Sequence, residues 1–429
     1  MMMEESTTTS NQTHIHDLPT EVIELTFSFL GTIPLMRSVY PSCRRFHEII
    51  NESVVNWMSL ELFPFTDGYQ DDDNFKLVDF ENPIKKRNIS SSGLIKLFDL
   101  LVPKFGSKFR DLSLTFSSLF TCSPPVFEMI STHCTNIKSL KIEAPSSGRP
   151  AMAANLLKVL EASSSNIQEL IVHGGFPHSD FPAISKVIGK TLKSLYIEEK
   201  EETEGHSTHC PQDRDASYQY VELEHLYLGG VKVDKAFLES YFKNSSKLKS
   251  IVFDQCHLNI EAIIDFLTTS EVVNNVQHLE FLCCSLNTKV IPTMNMWGRI
   301  FDKCPNLVNL FIHCSSPSDN TQEYDLCFGD AEITACVDKC KKLEVLDIRN
   351  SSMSGKFFKD LQKAKKLETL IMESKNWNMS NILTEHGSPI YSHSIKNLCM
   401  YGDKCDNSLE KPISTLFPTV EFVHFDKFA

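Results

Sequence analysis

The residues of this chain best suited to chemistry are scattered, and few stand at a chemical spacing. His206, His209 and Cys210 are spaced like metal ligands, but no fourth ligand stands near them and the surrounding stretch is acidic and polar. Cys336 and Cys340 are four apart, which is one face of a helix rather than the CxxC of a zinc or redox pair. Gly174-Gly175 and Gly229-Gly230 open no GxGxxG loop and read as turns. The GxxxxGK[ST], GxSxG and HExxH patterns do not occur. No nucleophile, acid or base is assigned, the chain is read as non-enzymatic, and neither cofactor nor metal is expected.

Composition narrows the partners. Among 429 residues, 42 Lys and Arg face 55 Asp and Glu, a formal charge of −13. A polyanion gains little by counterion release on such a surface, so neither nucleic acid nor an anionic membrane is an expected partner. No apolar run approaches the roughly 18 residues that span a bilayer. The opening MMMEESTTTS holds acids but no Lys or Arg, unlike a secretory or mitochondrial leader. The expected location is therefore cytoplasmic, nuclear or both. There the 14 cysteines stay reduced and most serve as small buried hydrophobes.

The elements that must position any site repeat. The pattern apolar-x-x-apolar-x-apolar begins at residues 109, 137, 167, 192, 223, 248, 276, 307, 343, 367, 395 and 420, a mean period of about 28. Its last three positions alternate, which makes a short strand with one buried face. Helical stretches such as 155–162, 237–242, 261–267 and 357–363 lie between the strands. Strand, helix, strand requires parallel neighbours, and one unit cannot bury its own apolar face, so the units must stack as an α/β solenoid. Residues 93–429 resemble the leucine-rich-repeat family in its longer, helix-containing subtype, with about twelve repeats. That resemblance implies a horseshoe. The Asn or Cys usual after the strand is poorly kept. Two steps are irregular. Residues 198–219 replace a return helix with an acidic loop, and residues 315–324 read as an insertion.

The residue between the two inward positions of each strand points out of the open face. Ile171, Tyr196, Tyr227 and Val252 hold that place on successive strands and form an apolar and aromatic ladder; Phe311 holds it further on. Exposed apolar patches mark interaction sites, and Tyr is enriched in binding hot spots. These five are the expected substrate-binding residues, against the alternative that the ladder only braces the sheet. The next column outward, with Glu143, His173, Glu198, Asp254, His313, Arg349, Glu373 and Asp426, is mostly acidic and favours a basic partner. Lys141 and Arg349 are too few cations for an inositol-phosphate floor.

Residues 1–13 read as a disordered tail, 14–62 as a three-helix module and 63–92 as a linker. In the module's first helix, Leu18, Val22, Leu25 and Phe29 make one apolar stripe, and Ile23, Phe27 and Leu30 make a second beside it. A helix apolar over most of its circumference needs cover on more than one side. Leu18-Pro19-x-Glu21, the run to Leu30, Arg37-x-Val39, Cys43-Arg44-Arg45-Phe46, Trp57 and Leu60 resemble the F-box, with Phe46 where Trp is common. The alternative is a helical cap on the solenoid. The resemblance implies docking on the Skp adaptor, and through it on a cullin–RING ubiquitin ligase. Leu18, Pro19, Val22, Ile23, Phe27 and Leu30 would make or support that contact. The repeats would then hold a protein substrate for ubiquitination. The alternative function is a protein-binding scaffold with no ligase role.

Overall fold

The computed structural model describes residues 102–115, 124–143, 149–174, 181–198, 220–269, 275–286, 294–314, 328–351, 353–374, 394–402 and 416–426, short pieces at 44–52, 59–62, 74–77 and 87–90, and a few single positions. Thirteen strands form one continuous parallel path: β1 (Ser59–Leu62), β2 (Asp111–Thr115), β3 (Ser139–Glu143), β4 (Glu169–His173), β5 (Ser194–Glu198), β6 (His225–Gly229), β7 (Ser250–Asp254), β8 (His278–Leu286), β9 (Asn309–Cys314), β10 (Val345–Ser351), β11 (Thr369–Ser374), β12 (Asn397–Tyr401) and β13 (Phe422–Asp426). Each pairs with the strand before and after it in sequence, so the ladder follows chain order without a crossover. This is the parallel solenoid that the repeat requires.

Among the described residues the helices include α1 (Arg44–Glu52), α2 (Pro124–His133), α3 (Arg149–Ala162), α4 (Phe181–Ile188), α5 (Lys235–Phe242), α6 (Ile260–Thr269), α7 (Met294–Lys303) and α8 (Asp330–Lys339); residues Lys356–Lys363 form a 3-10 helix. The repeat helices pack on one another in two runs, α2 to α4 and α5 to the 3-10 helix. The break falls beside the acidic stretch 199–219, which lies outside the described residues, as does 315–324. Asp234 accepts from the Phe237 amide at 2.9 Å and Asn259 from the Ala262 amide at 3.1 Å, so the starts of α5 and α6 are capped by side chains.

Burial follows the alternation. In β3 to β5 the pattern is half-buried, buried, half-buried, buried, half-buried, with Leu140 and Ile142, Leu170 and Val172, and Leu195 and Ile197 facing the helices. Each such side chain contributes about 1.5–3 kcal/mol when fully buried. Ahead of each strand one carbonyl accepts two amides from the next repeat: Lys138 O from Gln168 and Glu169, and Gln168 O from Lys193 and Ser194. These bonds lock successive repeats in one register.

Two features differ from the sequence reading. The ladder begins at Ser59, inside the segment assigned to the all-α module: Leu60 and Leu62 stand opposite Leu112 and Leu114. The repeat pattern is complete there, Trp57-x-x-Leu60-x-Leu62, but it stands nearly two periods before the next copy and inside the F-box-like run. The linker contains an antiparallel hairpin, Asn74–Leu77 against Arg87–Ser90. Where a Cys stands at the post-strand position, it bonds the preceding repeat. Cys256 donates its thiol to Leu228 O at 3.1 Å, and Cys284 donates to Phe253 O at 3.3 Å. Burial pushes the Cys134 and Cys304 thiols up to about 12, so neither is a nucleophile at neutral pH. Among the described residues no helix is long and apolar enough to cross a membrane.

Candidate partner-binding face

The face of the sheet turned away from the helices carries the predicted column. Lys141, Ile171, Tyr196, Tyr227, Val252, Glu280, Phe311 and Asp347 are successive register partners across β3 to β10. Ile171, Tyr196, Tyr227 and Val252 are therefore contiguous, and all four are half-buried. Phe311 is separated from them by Glu280 and packs its ring 5.3 Å from His278.

The two tyrosines stack nearly flat, with ring centroids 3.7 Å apart and an interplanar angle of 9°. His173 lies 4.8 Å from the Tyr196 ring and holds Glu198 Oε2 at 2.7 Å through Nδ1. The Tyr227 hydroxyl donates to Asp254 Oδ2 at 2.5 Å. Burial raises the Tyr196 and Tyr227 hydroxyls above their ordinary range, and the bond to Asp254 raises Tyr227 further. Both remain protonated donors at neutral pH.

Further along, the face closes on itself. Asp347 belongs to the column expected to point outward, yet it is 2% exposed. Arg349 grips it with two bonds, Nε to Oδ1 at 3.0 Å and Nη2 to Oδ2 at 2.9 Å. His313 Nε2 stands 3.3 Å from Oδ1, within ion-pair distance but off hydrogen-bond alignment. Burial works to raise the Asp347 carboxyl, but His313 and Arg349 outweigh it and hold the group below its ordinary value of 3.8. The expected outward acid is thus a buried anchor. The signal was legible: residues two apart on a strand share a face, so Asp347-x-Arg349 predicts this pair, as His278-x-Glu280 predicts its 3.0 Å contact.

Sequence reasoning also assigned Gly229 to a turn. It is the last residue of β6, and Gly230, at φ 66, makes the turn. At the N-terminal module, Ile23 is 0% exposed, with Phe46 and Ile49 also buried. Ile23 is thus part of the buried core of this chain. Thr20 and Arg44 are exposed, and Arg44 pairs with Glu48 along α1 at 2.8 Å. Leu18, Pro19, Val22, Phe27 and Leu30 lie outside the described residues, as do His206, His209 and Cys210.

No protein-family model matches the chain, and no curated protein matches it. Solved structures to which it is similar include an internalin from Listeria monocytogenes, at 12% identity and TM-score 0.41 over 78% of this chain and 77% of that one. A leucine-rich-repeat protein of Leptospira interrogans gives 11% and 0.34 over 77% and 86%. A chain of the yeast Rad7–Elc1 complex gives 12% and 0.33 over 76% and 72%. At such low scores the repeat assignment rests on the ladder and period of this chain itself, a solenoid of parallel strands backed by helices.

Proposed function

We propose that this chain is a non-catalytic protein-binding scaffold that captures a partner on the open face of its ladder. We further propose that it serves as the substrate-recognition adaptor of a Skp–cullin–F-box ubiquitin ligase. The observation that carries the first reading is the contiguous, half-exposed column Ile171, Tyr196, Tyr227 and Val252 on a rigid sheet. Half-buried aromatics on a preformed surface offer contact area at small entropic cost. The second reading is supported by the order of F-box-like pieces between Leu18 and Leu60. In that role the chain does no bond chemistry; it raises the effective concentration of a substrate lysine near a charged conjugating enzyme.

Co-purification of the full chain with the Skp adaptor tests the ligase reading. Parent protein should retain the adaptor, and Leu18→Asp with Phe27→Asp should lose it while the ladder stays folded by circular dichroism. Failure of the parent to retain it leaves the plain scaffold. A truncation for this purpose should stop before Ser59, because β1 belongs to the ladder.

A further inference from the structure

Around Gly229 two carboxylates and two phenols converge. Gly229 stands in register between Glu198 of β5 and Asp254 of β7. A Cβ there would lie 3.1 Å from both Glu198 Cγ and Tyr227 Cε1, so its missing side chain lets both lean over the strand. Tyr227 reaches Asp254, and Tyr196 interacts with both Tyr227 and Glu198. Two carboxylates thus stand two strand spacings apart, about 10 Å, linked through neutral hydroxyls.

A carboxylate held by a phenol keeps its full charge. Among the described residues neither acid pairs with Lys or Arg: Glu198 has His173, and Asp254 has the Tyr227 hydroxyl. The surrounding strands add Glu143, Glu169 and Glu280 against one cation, Lys141. A half-buried pair of acids with no Lys or Arg beside it lacks a permanent cation, and the stacked rings would cover an aliphatic stem. An Arg or Lys side chain meets both demands, lying along the rings with its head between the acids.

We infer that Glu198, Tyr196, Tyr227 and Asp254 receive an arginine or lysine side chain from an extended basic segment of a partner protein. The inference rests on the proposed use of the open face and names the chemistry of what binds there. A labelled hexa-arginine peptide, followed by fluorescence anisotropy on the full-length protein at low salt, tests it. Parent protein should bind it, and Glu198→Gln with Asp254→Asn should weaken binding about tenfold or more. Asp302→Asn with Asp338→Asn, which removes equal charge from α7 and α8, should change it by less than about twofold. No binding to the parent overturns the inference. Equal loss from both pairs also overturns it, because the attraction is then diffuse. Circular dichroism of each variant separates loss of binding from loss of fold. Proximity labelling of the parent and of Tyr196→Ala with Tyr227→Ala gives the second arm. Partners lost with the rings while hexa-arginine fails would keep the scaffold reading and sink the basic segment.

Discussion

At Tyr227 a neutral phenol holds a carboxylate; at Arg349, four strands further along the same face, a guanidinium holds one. Both acids sit on parallel strands of one ladder, yet their electrostatics are opposite. The donor on Asp254 is uncharged and offsets none of its negative charge. Asp347 is neutralised by Arg349 and sealed beneath it at 2% exposure. The difference teaches that an acidic column on a solenoid is not one surface. Where the chain supplies its own cation, the acid becomes part of the framework; where it supplies only hydroxyls, charge is left for an outside group.

The comparison can be broken at its closed end first. Asp347→Ala removes the anchor of Arg349 and His313 and should cost about 2–3 kcal/mol of unfolding free energy. This is below the full value for a buried pair, since Arg349 is itself partly exposed. Urea denaturation reads the change, and a loss equal to that of Asp254→Ala would erase the distinction between the two regions. Acid titration sharpens the same point. The folded Asp347 carboxyl lies below its ordinary value, so its contribution is fully present above 3.8 and is lost as pH falls through the depressed value. The urea midpoint of the parent should therefore approach that of Asp347→Ala only below about pH 4. A gap that does not narrow there would contradict the assignment.

At the open end the effects should be smaller. Tyr227→Phe keeps the stacked ring but drops the bond to Asp254, and should cost about 1 kcal/mol. Gly229→Ala inserts a methyl where Glu198 and Tyr227 already lean in, forcing a shift of a few tenths of an ångström. It should cost about 0.5–1 kcal/mol and leave the midpoint difference between Asp347→Ala and its own parent unchanged.

Much of the molecule was legible as spacing. The period located β2 to β13, and the two-residue alternation within each unit separated Leu195 and Ile197, which face in, from Tyr196, which faces out. The neighbours Tyr196 and Tyr227 follow from counting. Other features were written in the chain but demanded a second rule. Cys256 and Cys284 each stand three residues past the strand's last apolar position, the place where a repeat bonds the backbone of its predecessor. Strand β1 carries the whole pattern, Trp57-x-x-Leu60-x-Leu62, but stands nearly two periods before the next copy, and four Cα partners on β2 define it. The fate of Ile23 was open because two adjoining stripes predict that some apolar surface is covered without saying which.

Inside and outside were determined by the sequence itself, because a strand's side chains alternate regardless of what lies beside it. Which outward residues share charge, stack or bury one another was decided only by the tertiary structure. Those contacts join residues 25 to 34 apart in the chain, such as His173 with Glu198, Tyr227 with Asp254 and His313 with Asp347. Their outcome depends on the reach of each side chain across a neighbouring strand. Gly229 matters for the same reason: its effect is the room it leaves to residues of two other positions.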